Sequence, residues 1–215
     1  MVARSVTDSR GKVHEYYLCD PDYRPPLPKG AVRGDVRKQH YCSAYDTPRY
    51  FYVDESKTCV QCGDEFLFSG REQKYWYESL RFHYDSVAIR CPRCRRRRRT
   101  ENALREQIGA TRRKLAEKPR DPALLLELAE TIVRCRQLSG EGDLDEAISA
   151  ARRARKEWPE TTLTDYWEAM GQIEAGRPSK ARRLLEKFLA KPPRGRRHKA
   201  LLAEAKEALG AIEEA

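Results

Sequence analysis

Cys59-Val60-Gln61-Cys62-Gly63 and Cys91-Pro92-Arg93-Cys94 are the two stretches whose reading decides the fold of this chain. Each is a Cys-x-x-Cys pair. Two residues between ligands let one tight turn aim both sulfurs at a single ion, and Gly63 supplies the permissive backbone that such a turn often needs after its second ligand. Two such turns brought together make a tetrahedral thiolate site, a donor set that suits Zn²⁺. With four sulfur ligands and no open position, the ion is expected to be structural and not catalytic. A thioredoxin-like redox pair would need a βαβ pattern around one of the pairs, and none is visible.

The chain has seven cysteines in 215 residues. An odd number at uneven spacing argues against a secreted disulfide framework. Cys19, Cys42, His14 and His40 are too irregularly spaced for a second metal site and read as ordinary side chains. Cys135 lies in a helical pattern and reads as a buried core thiol.

Outward from the knuckles, Tyr50-Phe51-Tyr52-Val53 reads as a strand, Asp54-Glu55-Ser56-Lys57 as the turn into the first knuckle, and Glu65-Phe66-Leu67-Phe68 as a second short strand. Ser69-Gly70-Arg71-Glu72 is a capping box opening a helix on which Trp76 and Leu80 stack at i, i+4. Pro92 sits where a longer helix begins. Leu104, Ile108 and Leu115 lie on one face of that helix, which ends near Pro119. A knuckle, a hairpin and a helix whose first turn carries the second ligand pair describe a treble clef, with a short helix inserted between the pairs.

The stretch from Asp54 to about Arg99 resembles a bacterial probable zinc-ribbon, or treble-clef, family. Its members carry a Cys-x-x-Cys-Gly knuckle, a Phe-x-Phe strand, a Glu-Gln-x-aromatic helix start and a closing Cys-x-x-Cys-Arg. The matching residues are Cys59, Cys62, Gly63, Phe66, Phe68, Glu72, Gln73, Tyr75, Trp76, Cys91, Cys94 and Arg95. Leu80 to Ile89 form a longer link than is usual in that family. The resemblance implies binding of one structural Zn²⁺ and implies no reaction.

From Asp121 onward the chain reads as paired helices. Leu124, Leu125, Leu128, Ile132 and Cys135 form one apolar face, and Gly140 to Asp143 break it. Leu144, Ala147, Ile148, Ala151 and Ala154 form the next, ending at Trp158-Pro159. Tyr166, Trp167, Met170 and Ile173 open a second pair. Ala181, Leu184, Leu185 and Phe188 close it before Pro192-Pro193, and Leu201 to Ile212 would cap the stack. The 34-residue spacing from Ala147 to Ala181 resembles a tetratricopeptide repeat, which implies a protein-binding surface. The expected fold is therefore α+β. A small treble-clef zinc domain over 49–119, preceded by a partly extended arm over 1–48, leads into an all-α helical-repeat domain over 120–215.

The chain carries 43 basic and 33 acidic residues, a net charge of +10. Nearly all of the excess lies between residues 59 and 120; residues 121–215 are balanced. Arg90, Arg93 and the run Arg95, Arg96, Arg97, Arg98 and Arg99 place seven arginines in ten residues. At about 100° per residue the run encircles its helix as a collar. Neutralising a thiolate centre does not need seven arginines, so a nucleic-acid partner is expected, RNA or DNA. Twelve of the 19 aromatic residues fall between Tyr41 and Tyr84; most read as the core of a small metal domain, not as stacking platforms for bases.

No apolar run reaches the roughly 20 residues of a membrane helix, and the N-terminus has no signal-peptide core. The expected protein is cytoplasmic and non-enzymatic, has no small-molecule substrate, and binds nucleic acid through its zinc module and a protein through its repeats. The alternative is a protein–protein adaptor with no nucleic-acid role. A treble-clef nuclease is the remote alternative, with His83 and Asp85 as its only candidate residues.

Overall fold

The computed structural model describes residues 2–7, 10–18, 22–40, 48–83, 85–193, 195 and 198–214. Its contacts divide the chain into two compact units, Met1–Arg95 and Arg96–Ala215.

The first unit is built from short antiparallel pairs. β1 (Val2–Thr7) pairs with β2 (Val13–Leu18), Val2 opposite Leu18. This hairpin lies in the stretch expected to be a partly extended arm. The signal for it was a pair of strand-forming runs either side of Arg10-Gly11, without the apolar alternation that marks a half-buried strand. β3 (Val32–Arg33) pairs with β4 (Phe51–Tyr52). β5 (Glu55–Thr58) pairs with β6 (Glu65–Phe68), Glu55 opposite Phe68. Glu55 to Lys57, expected to be a turn, are thus the polar strand of the hairpin that frames the first knuckle. Only its partner strand buries rings, Phe66 and Phe68, so β5 carried no apolar pattern to betray it.

α1 (Gly70–Lys74) begins where the capping signal places it. Ser69 accepts the Glu72 amide at 3.2 Å, and Asp54 accepts the Gly70 amide at 2.7 Å. Buried Gln73 donates to the carbonyls of Val53 (2.5 Å) and Phe68 (2.9 Å), tying α1 to the ends of β4 and β6. The next turn, Tyr75–Ser79, widens to π geometry, with the Leu80 amide reaching the Tyr75 carbonyl at 3.0 Å. This breaks the expected i, i+4 stack: Leu80 is exposed, and Trp76 meets Phe68 and Phe82, each at 5.1 Å between ring centroids. Arg81, at φ 53°, reverses the chain so that Phe82 can return to Trp76.

α2 (Pro92–Glu117) begins in the first unit and continues in the second. The sequence placed a domain limit at 119/120; the contacts divide inside this helix. Ile108 is buried in the core of the second unit, and Leu104 and Leu115 pack against it, so most of α2 belongs there.

The second unit continues with α3 (Pro122–Ser139), α4 (Leu144–Glu157), α5 (Leu163–Glu174), α6 (Pro178–Ala190) and α7 (Lys199–Glu213). Asp121 caps α3 and Asp143 caps α4, each accepting amides of the first turn. Ala147, Ala151 and Ala154 of α4 and Ala181, Leu185 and Phe188 of α6 are all 0% exposed. These two sets are offset by the same 34 positions, so α3–α4 and α5–α6 are successive helix pairs of tetratricopeptide type. Gly171 of α5 lets α4 come close, since a Cβ there would lie 3.1 Å from Ile148 Cγ1.

α5 also buries charge. Asp165 pairs with Arg155 at 2.8 Å and Lys187 at 3.1 Å, and Glu168 pairs with Arg152 at 2.7 Å and with Arg155. Both carboxylates are almost fully buried, so each cation satisfies a group that would otherwise be costly.

Leu185→Ala should destabilise the helical unit by about 2–5 kcal/mol, the range for truncating a fully buried leucine. Urea unfolding followed by helical circular dichroism measures it. A loss below about 1 kcal/mol would mean that Leu185 is not at the core of the α5–α6 pair.

Candidate metal centre and basic collar

The first pair of cysteines closes the β5–β6 hairpin. The Cys59 amide donates to Asp64 O at 2.9 Å, and the Gly63 amide to Cys59 O at 2.9 Å. Gly63 sits at φ +77°, which only glycine adopts without strain. The Val60 amide donates to Ile89 O at 3.0 Å, holding the segment before Cys91 beside the knuckle. Pro92 opens α2, and the Cys94 amide points at Cys91 Sγ at 3.5 Å. Phe66, Phe68 and Ala88 are buried around the sulfurs, and Trp76 packs against the cluster.

One ligand atom from each of Cys59, Cys62, Cys91 and Cys94 comes within 4.8 Å of every other. Cys59, Cys91 and Cys94 are buried, while Cys62 is the most open. Cys62 Sγ and Cys91 Sγ are 3.8 Å apart. That is far longer than a disulfide of about 2.05 Å. It matches the edge of about 3.8 Å that a tetrahedron with metal–sulfur bonds of about 2.3 Å requires. The four residues therefore fit one metal ion, with every position of a four-coordinate shell supplied by the chain.

The thiols do not ionise alike. Burial pushes Cys59 up, but the amides of Cys91, Cys62 and Gln61 outweigh it and bring its pKa down to about 6. Burial and the neighbouring sulfurs push Cys94 up to about 12. At Cys62 the Asp64 amide favours the thiolate, yet burial and the Cys59 sulfur prevail and the pKa is raised. A single negative charge is well tolerated here; further thiolates need a cation among them.

The seven arginines do not form one surface. Arg93 pairs with Asp64 at 3.3 Å and also faces Cys62 and Cys91, so its charge is held by the thiol cluster. Arg95 lies over Trp76, 5.2 Å from the ring centroid, and pairs with Glu72 at 2.6 Å. Glu72 is thus the partner of Arg95, and the capping bond at the start of α1 comes from Ser69. Arg97 pairs with Glu101 at 3.0 Å and donates to Leu138 O at 2.6 Å. Arg90 is partly buried. Arg96, Arg98 and Arg99 are exposed and make no ion pair among the described residues. The intramolecular partners Asp64, Glu72 and Leu138 were invisible in the sequence, being 29, 23 and 41 positions away from Arg93, Arg95 and Arg97.

His83 Nδ1 stands 3.6 Å from Asp85 Oδ2, and the His40 ring lies 6.1 Å from that of His83. Cys19 and Cys42 lie outside the described residues. Cys135 is buried in α3, as its helical position implied.

The second unit contributes a groove that sequence reading did not single out. Glu130 and Arg134 of α3, Leu163 and Trp167 of α5, and His198 and Leu201 at the start of α7 line an opening of about 430 Å³. Arg134 lies over Trp167, 5.3 Å from the ring centroid. The helical pattern places Trp167 on an apolar face, but only the fold brings its neighbours together from three helices.

These features define a chain with a four-cysteine treble clef followed by paired helices of tetratricopeptide type. Residues 53–103 match the family model described as a probable treble clef domain. The chain is also similar in structure to the type III secretion translocator chaperone SycD of Yersinia enterocolitica. That match is 17% identical, covers 54% of this chain and 91% of SycD, and has a TM-score of 0.40. No curated protein sequence matches the chain. Among the described residues no helix is long and apolar enough to cross a membrane.

Cys94→Ser should abolish stoichiometric metal binding and unfold the knuckle region; a variant that stays equally stable and still holds a full metal equivalent would overturn the site. Metal loading must also compete with protons. Cys62 and Cys94 are protonated at neutral pH, so affinity should fall about 100-fold or more for each unit of acidification from pH 8 to 7, and about 1,000-fold or more per unit below Cys59's pKa near 6. Chelator competition at pH 6, 7 and 8 reads this directly, and a flat profile would contradict it.

Proposed function

We propose that this is a non-enzymatic, cytoplasmic binding protein. In it a structural Zn²⁺ holds the treble clef, the arginine collar takes the phosphate backbone of a nucleic acid, and the helical repeats hold a protein partner. The observation that carries the nucleic-acid reading is the exposure of Arg96, Arg98 and Arg99 without ion pairs among the described residues, immediately after arginines that are engaged within the chain. Three unneutralised guanidinium groups within one helical turn repel one another, and a polyanion relieves that repulsion. Zinc is favoured by the all-thiolate shell, which leaves no position for substrate or water and so supports a structural role. Free thiols suit a reducing compartment. The groove around Trp167 and Arg134 supports a protein partner, because it offers an aromatic wall between groups of both charges.

The test is binding of the zinc-loaded protein to generic RNA and DNA across a salt series. Arg96, Arg98 and Arg99 changed to Gln should flatten the slope of log affinity against log salt by about 2–3, because each phosphate left without its cation lowers the slope by about 0.7–0.9. No binding at low salt would overturn the nucleic-acid reading and leave the adaptor reading, in which the groove is the working surface.

A further inference from the structure

Residues 121–215 are balanced in charge along the sequence, but the fold sorts that charge between two rows of helices. α2, α4 and α6 form one row. Arg112 of α2 pairs with Glu146 of α4 at 2.5 Å, Arg153 of α4 donates to Pro119 O at the end of α2 at 2.5 Å, and Arg177, before α6, pairs with Asp145 of α4 at 2.9 Å. α3, α5 and α7 form the other, joined by Arg134 over Trp167 and by Tyr166, which donates to Glu204 at 2.6 Å. α4 and α6 carry 8 basic and 4 acidic residues, and α2 from Arg96 onward raises the first row to 16 basic and 7 acidic, whereas the second carries 4 basic and 8 acidic. Internal pairing with acids outside the row consumes part of the imbalance, at Arg105, Arg152, Arg155 and Lys187, and leaves the rest. Arg113 and Lys114 of α2, Arg153 and Lys156 of α4, and Lys180 and Arg183 of α6 are exposed and make no ion pair among the described residues.

We infer that the α2–α4–α6 row is itself a docking surface for double-helical nucleic acid, continuous with the collar at Arg96–Arg99. The inference deepens the proposed function and rests on its nucleic-acid reading. Arginine side chains bridge the three helices, so the row is at least two helix spacings, roughly 20 Å, across. A duplex presents one phosphate charge per about 1.7 Å of axis, so that width spans about a dozen phosphates, of which those on the facing side meet the row. Charges dispersed over three helices suit a broad, regular lattice of phosphates, not a single anion. A single strand would want rings to stack on, and among the described residues of this unit Trp158 is the large aromatic left exposed. The opposite row carries the groove and, even with Asp165 and Glu168 buried and paired, has more acidic than basic groups, so it offers phosphates no comparable excess of cations. The polarity therefore orients the protein on the duplex and leaves the groove open to a protein.

The experiment compares the zinc-loaded full chain with two variants on duplex DNA, duplex RNA and a single-stranded oligonucleotide across a salt series, with polyglutamate as competitor. One variant has Arg153, Lys156, Lys180 and Arg183 changed to Gln; the control has Lys199→Gln and Lys206→Gln on the acidic row. The expected result is a duplex slope lower by about 3–4 in the first variant and unchanged in the control. If the parent protein binds duplexes but the first variant keeps its full slope, the row is not the surface and the collar reading survives. If the single strand binds as tightly as the duplex, or polyglutamate competes as well as duplex at equal charge, the double-helical partner is wrong. If the parent binds no nucleic acid at low salt, the proposed function and this inference fall together.

Discussion

Four sulfurs within 4.8 Å of one another are unstable company unless a cation sits among them. The ionisation of the thiols carries the tension: burial and neighbouring sulfur push Cys94 up to about 12, while amides draw Cys59 down to about 6. A dication removes the conflict by turning repulsion among thiolates into ligation. The architecture around the cluster serves that end. The β5–β6 hairpin delivers one pair, the Val60–Ile89 bond returns the chain, and the first turn of α2 delivers the other. The hydrophobic filling is slight, chiefly Phe66, Phe68, Ala88 and Trp76. In so small a core a metal held by the four sulfurs would supply much of the folding free energy.

The arginine run makes sense once its members are separated by what they touch. Arg93 answers the cluster's charge, Arg95 answers Glu72 and the Trp76 ring, and Arg97 reaches Glu101 and the carbonyl of Leu138. Their neighbours on the helix, pointing elsewhere at about 100° per residue, find no such partner among the described residues. A stretch that reads as uniformly basic is thus split by helical geometry into residues that stabilise the fold and residues left for a polyanion.

The helical unit applies the same principle on a larger scale. α5 carries three acidic residues and no basic one, and buries Asp165 and Glu168 against cations from α4 and α6. Those internal pairs neutralise part of the charge of α4 and α6 from beneath. The outward positions keep theirs, so a segment of zero net charge acquires two faces of opposite sign.

The sequence by itself determined the ligand set, the start of α1 at Ser69, the start of α2 at Pro92 and the helix pairs with their 34-residue offset. Each is a local property, a spacing of two, a cap or a 3.6-residue period, and local chemistry is written in adjacent residues. Tertiary structure decided that Glu55–Thr58 is a strand, that a π turn sends Trp76 to Phe82 instead of Leu80, and that α2 belongs mostly to the helical unit. It also decided which arginines are occupied and how balanced charge divides into two rows. Those outcomes depend on residues brought together from tens of positions apart, and distance in space is what a one-dimensional pattern does not encode.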